Sequence, residues 1–176
     1  FAKIHTQFGV PSKDGFMISL LYKHVNNFVR INGSISSSPF SISQGVRQGN
    51  ALSSLMFVLY INDLITGLEA FQGFPLRRPN PFSPPPSLKS VFFADDFALT
   101  ARSHSDACAM LQFVHQWGIA NNMLLSTAKT KWIGINVPST TAFPFPPESP
   151  NAVVLERQSS FNYLGVLLSD SGSWDE

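Results

Sequence analysis

The 176-residue chain contains a single cysteine, Cys108, which excludes any internal disulfide and any cysteine-based zinc site, and no disulfide-linked partner is expected. Its four histidines, His5, His24, His104 and His115, have neither the H-E-x-x-H arrangement nor another paired metal spacing. Charge is scarce and balanced. Twelve basic residues against eleven acidic ones leave a net charge of +1, too little to announce a nucleic-acid partner by itself. No basic-then-apolar leader opens the chain, and the most apolar stretch, Ala51 to Ile61, is interrupted by serines and reads as too short to span a bilayer. A nuclear or cytoplasmic protein, neither secreted nor membrane-bound, is the expectation. No internal repeat is visible.

What is present argues for folding. Hydrophobic residues make up 44% of the chain, enough to build a core and to exclude wholesale disorder, and the length fits one domain spanning 1–176. Between Gly15 and Asn62 there are three basic residues, Lys23, Arg30 and Arg47, and no acidic one. This is either a mild positive face or an ordinary solvated surface. The chain opens on Phe1 and closes on Glu176 just after Trp174, without a terminal cap, so it reads as an excerpt of something longer.

Residues 16–29 have apolar side chains at helical spacing (Ile18, Leu21, Tyr22, Val25). They run into Asn32-Gly33, a strong hairpin signal, with Ile35, Phe40 and Ile42 on the return and Pro39 interrupting it. After a loop with two glycines, Asn50 can cap a helix from Ala51 to about Thr66 that Gly67 ends. Apolar residues surround that helix almost completely, which predicts burial on most sides. Residues 75–86 carry six prolines and cannot form a helix or an interior strand; a second proline-rich loop covers 143–150. Between the loops, Val91-Phe92-Phe93-Ala94 and Phe97 to Ala101 read as strands flanking Asp95-Asp96. Ser103-x-x-Asp106 has the form of a capping box before a helix striped with Ala107, Met110, Leu111, Val114 and Trp117, ending at Gly118. Lys131–Val137 and Phe161–Leu168 read as two further strands. The order predicts an α+β domain with helices on one face of an antiparallel sheet.

The residues able to carry chemistry begin with Asp95 and Asp96. Neighbours in a straight strand point to opposite faces, but at the tip of a tight hairpin two carboxylates can lie together. Their mutual repulsion is relieved by a divalent cation, and a hard ion such as Mg²⁺ takes carboxylate and phosphate oxygens, as in two-metal phosphoryl transfer. An Asp-Asp turn is also a common structural device. Upstream, Gly45 and Gly49 let a backbone approach a ligand closely while Gln44 and Gln48 offer amide donors and acceptors; alternatively they only turn the chain into the helix.

Taken together, these segments resemble the reverse transcriptases of non-LTR retrotransposons. Gln44-Gly45-Val46-Arg47-Gln48-Gly49-Asn50-Ala51-Leu52-Ser53, followed by Tyr60-Ile61-Asn62-Asp63-Leu64, is similar to their template- and nucleotide-handling motif B. Phe93-Ala94-Asp95-Asp96 resembles the metal-binding motif C, Lys129-Thr130-Lys131 motif D, and Phe161-Asn162-Tyr163-Leu164-Gly165 the primer-gripping motif E. Gly9-Val10-Pro11 and Leu21-Tyr22 also fall where the family has a G-x-P and a leucine-tyrosine pair. The resemblance implies a partial polymerase palm with Asp95 and Asp96 as catalytic metal ligands and Mg²⁺ or Mn²⁺ as cofactor. It further implies that Gln44, Gly45, Arg47, Gln48, Gly49 and Lys129 handle template and nucleotide, and that Phe161, Tyr163, Leu164 and Gly165 grip the primer. RNA template, DNA primer and deoxynucleoside triphosphate are the partners it implies for an intact parent.

The pattern departs from the family in three places. The motif A aspartate would precede the segment around Gly9, and no strand carrying it is present; Asp14 falls after that point. The template-holding fingers and the steric-gate aromatic are also missing, and Ser54 stands where the family usually has proline. The expectation is a chain unable to polymerise alone. The competing reading is a non-catalytic remnant kept for binding nucleic acid or protein. A phospho-receiver domain, which also sets two acids at a strand end, would need an aspartate at the end of a later strand, and Lys131 to Ser139 contains no acid.

Overall fold

The computed structural model describes residues 6–23, 25–42, 45–47, 49–76, 82, 84–147 and 149–171. The chain divides into two compact units, Phe1–Asp63 and Leu64–Glu176. The division falls within one long helix.

In the first unit, helix α1 (Ser12–Lys23) carries Asp14 in its first turn and Lys23 in its last, the charge placement a helix dipole favours, and none of its residues is buried. It ends six residues short of the predicted Val29. Asn27 instead forms an isolated antiparallel bridge with Phe40. Strands β1 (Arg30–Ile31) and β2 (Ser34–Ile35) pair antiparallel around Asn32-Gly33, both at positive φ (49° and 85°), as the Asn-Gly signal requires.

Helix α2 (Ala51–Leu68) starts where the Asn50 side chain accepts a hydrogen bond from the Leu52 amide at 2.9 Å. Two expectations for this helix fail. Gly67 lies inside it rather than ending it, and the Phe113 ring packs where a larger residue would project. The helix is also not buried on most sides. Its buried residues are Ser53, Met56, Ile61, Leu64 and Leu68, whereas Leu55 and Val58 are more than half exposed. At 18 residues it is long and apolar enough to cross a membrane by length and composition alone, which corrects the shorter reading of Ala51 to Ile61; core helices of soluble proteins meet the same criterion.

The second unit is built around helix α3 (His104–Ala120). The Ser103 hydroxyl accepts the Asp106 amide at 3.1 Å, so the predicted capping residue does cap. The helix continues two residues past Gly118, whose carbonyl takes the Met123 amide at 2.8 Å. Two clusters of buried side chains flank α3. Met110 and Val114 join Leu64 and Leu68 in one, with Phe92, Phe97, Phe113 and Trp117 packed around them. Leu111 joins Phe143, Phe145 and Leu155 in the other, beside Trp132 and Cys108. The second proline-rich loop therefore contributes core aromatics, and its Phe145–Pro146 peptide is cis.

Strands in this unit pair two by two. β3 (Phe74–Pro75) pairs with β4 (Ser87–Leu88), β5 (Ser90–Phe93) with β6 (Asp96–Leu99), and β8 (Pro144–Phe145) with β9 (Val153–Val154), all antiparallel. β7 (Lys131–Trp132) pairs parallel with β10 (Glu156–Arg157), which a Lys131–Glu156 ion pair and an Arg157 guanidinium 5.0 Å over the Trp132 ring reinforce. The predicted strand over 131–137 stops at Trp132, and Asn136 sits at positive φ. The predicted strand over 161–168 is a hairpin, β11 (Ser160–Tyr163) and β12 (Val166–Ser169), turning at Leu164-Gly165 with φ of 52° and 85°. The α+β class stands, but the described strands form two-stranded ladders and no continuous antiparallel sheet. Of the first proline-rich loop, residues 77–81 and 83 lie outside the described residues; its stem is β3–β4, extended by a Leu76 amide to Pro86 carbonyl bond of 2.8 Å.

Candidate active site

The β5–β6 hairpin places the two candidate carboxylates. Its register pairs Phe93 with Asp96, leaving Ala94-Asp95 as a two-residue turn with Ala94 at φ 52°. Because side chains alternate along a strand, Phe92, Phe97 and Leu99 share one face, while Val91, Phe93, Asp96 and Ala98 share the other. The first face is anchored: the Phe92 and Phe97 rings stack across the strands at 5.3 Å, and all three residues pack on the Leu64–Leu68–Met110–Val114 cluster. This packing holds the hairpin by its apolar side and leaves Asp95 at the tip and Asp96 beside it, both exposed.

The outer face of the hairpin meets β11. The Tyr163 hydroxyl donates to the Val91 carbonyl at 3.3 Å, across 72 residues of sequence. Partial burial, and after it the negative charge of Asp96, push the Tyr163 phenol above its ordinary pKa. Tyr163 is thus the predicted primer-side residue that the fold brings to the aspartate hairpin. Phe161, Leu164 and Gly165 lie on the same β11–β12 hairpin and are exposed.

Other predicted residues belong to separate elements. Gly45 and Gly49 both adopt positive φ (92° and 78°), a conformation that costs glycine little and other residues more, and exposed Arg47 lies between them. Gln44 and Gln48 lie outside the described residues. Lys129 is exposed in a turn whose amide bonds the Ser126 carbonyl at 3.1 Å.

As a donor set, Asp95 and Asp96 offer hard oxygens from adjacent, exposed carboxylates. Such a set suits a divalent cation that also takes phosphate oxygens, and falls short of a closed protein cage for one. Among the described residues no group of three or more His, Cys, Asp or Glu side chains comes together. The anchoring pair Phe92 and Phe97 escaped the sequence reading, although the strand alternation around Asp95-Asp96 contains the signal. The Val91 carbonyl carried no signal at all.

A family model described as reverse transcriptase (RNA-dependent DNA polymerase) matches residues 2–168. The chain belongs to the reverse transcriptase family. No curated protein and no solved structure matches it.

Proposed function

We propose that the chain forms the metal-binding and primer-side part of an RNA-directed DNA polymerase of the non-LTR retrotransposon type, within a palm-like domain. The observation that carries this reading is the exposed Asp95-Asp96 tip on an anchored hairpin, in a chain whose family match runs through it. Asp95 is the principal ligand for Mg²⁺ or Mn²⁺ and Asp96 its neighbour. The bound cation would neutralise charge on the triphosphate and on the attacking primer oxygen.

The protein's own residues have separate tasks. The Phe92–Phe97 stack resists movement of the tip when phosphate approaches. The loop at Gly45, Arg47 and Gly49 approaches template and nucleotide through its backbone, Gln44 and Gln48 offer amide groups to them, and Lys129 offers an ammonium to the triphosphate. The β11–β12 hairpin faces the primer. Two carboxylates are one short of the family's metal site, so the 176-residue chain alone extends no primer.

The test has two arms. Sequencing the encoding locus upstream of Phe1 asks whether the open frame carries a further strand with an aspartate. In a product that extends a primer on an RNA template, Asp95→Ala is expected to lower kcat at least a hundredfold, about 2.7 kcal/mol of transition-state stabilisation. Undiminished extension by that variant refutes the assignment. A frame closed by stop codons upstream favours the remnant reading, in which any role is binding.

A further inference from the structure

The sequence resemblance assigns Tyr163 to the primer side, but the fold directs its hydroxyl onto the backbone of the hairpin that bears the aspartates. Val91, the acceptor, shares the outer face of that hairpin with Phe93 and Asp96. The opposite face is already packed on the helices through Phe92, Phe97 and Leu99. The aspartate hairpin is therefore fixed from below by apolar packing, whereas the β11–β12 hairpin meets its exposed side through a polar group. β11 and β12 are mostly exposed, with Leu164, Leu167 and Val166 each about half accessible, so apolar burial does little to hold this hairpin. A hydroxyl donating to a main-chain carbonyl is insensitive to which side chain occupies position 91. It fixes a distance between two backbones.

We infer that Tyr163 is a positioning residue whose hydroxyl, through the Val91 carbonyl, sets the spacing between the β11–β12 hairpin and the Asp95-Asp96 tip. The inference deepens the proposed function and rests on its metal assignment. It gives the tyrosine a task that phenylalanine cannot perform: the ring alone can cover the hairpin, but only the hydroxyl fixes the register between the two.

Affinity cleavage of the full chain tests this directly. Fe²⁺ replaces Mg²⁺ at the aspartates, and ascorbate with peroxide generates hydroxyl radicals that cut nearby backbone. Wild-type protein is expected to be cut within 90–96 and within 160–166. In Tyr163→Phe, the cut at 90–96 is expected to persist while that at 160–166 is lost or clearly weakened relative to it. Circular dichroism melting checks that the variant remains folded; a purely structural role for the ring would leave both cuts in place. Two equal cuts in Tyr163→Phe overturn the inference and leave the metal assignment standing. Cuts that survive in Asp95→Ala plus Asp96→Ala, or no cut in either segment of the wild type, overturn the metal assignment and the inference with it.

Discussion

Gly67 sets two physical effects of opposite sign against each other, so its replacement by alanine is informative. The residue lies in the last turn of α2, and a methyl group built there would meet the Phe113 ring at 2.2 Å from Cζ and 2.9 Å from Cε1. Helix propensity favours alanine over glycine by at most about 1 kcal/mol, less so near a helix end. Forcing a methyl into a packed contact costs about 1–3 kcal/mol. Phe113 cannot swing away freely, because it packs on the Leu64–Met110 cluster and its ring lies 5.6 Å from that of Phe71. Overpacking therefore wins, and Gly67→Ala is expected to destabilise the protein by up to about 2 kcal/mol. Urea unfolding followed by circular dichroism measures the loss. The shorter Phe113→Leu removes the ring atoms in conflict, so in that background Gly67→Ala should become neutral or stabilising. The double-mutant cycle should then show a coupling of at least about 1 kcal/mol. An increased urea midpoint for Gly67→Ala alone, or additive single effects, would show that the ring does not constrain this helix.

Two further variants probe other parts of the second unit. Ala94 occupies a left-handed conformation that glycine adopts without a Cβ penalty, so Ala94→Gly should stabilise the hairpin by about 1 kcal/mol in thermal melts; a destabilised variant would contradict the turn geometry. Burial raises the pKa of the Cys108 thiol, which lowers its thiolate fraction at neutral and mildly alkaline pH. Iodoacetamide at pH 8 should then modify native protein more slowly than urea-unfolded protein, and equal rates would refute that environment.

Where local chemistry decides an element, the sequence was legible. The Asn50 and Ser103 caps, the Asn32-Gly33 turn and the strand pair around Asp95-Asp96 each follow from side chains acting within a few residues of themselves. Non-local partners were not legible. The strand at Lys131 ends early because its partner is Glu156–Arg157, a parallel pairing 25 residues away that no local pattern encodes. Leu164 at positive φ hides a hairpin inside what reads as one strand, since leucine carries no turn propensity. Phe143 and Phe145 are buried among prolines that otherwise signal a loop. The site divides along the same line. The carboxylates and the glycine loop stand out as residue types, whereas the contact between Tyr163 and Val91 depends on two hairpins meeting in space.

The residues that flank the proline-rich stretch are joined by the β3–β4 ladder and the Leu76–Pro86 bond. Since the ends are pinned together, the number of residues between them enters the folding free energy mainly as loop-closure entropy. That term grows only logarithmically: each doubling of length costs about 0.6 kcal/mol. This makes the position the natural place in the chain to accept length variation, and the first choice for carrying an inserted tag or reporter domain without disturbing the aspartate hairpin that begins two residues beyond the stem.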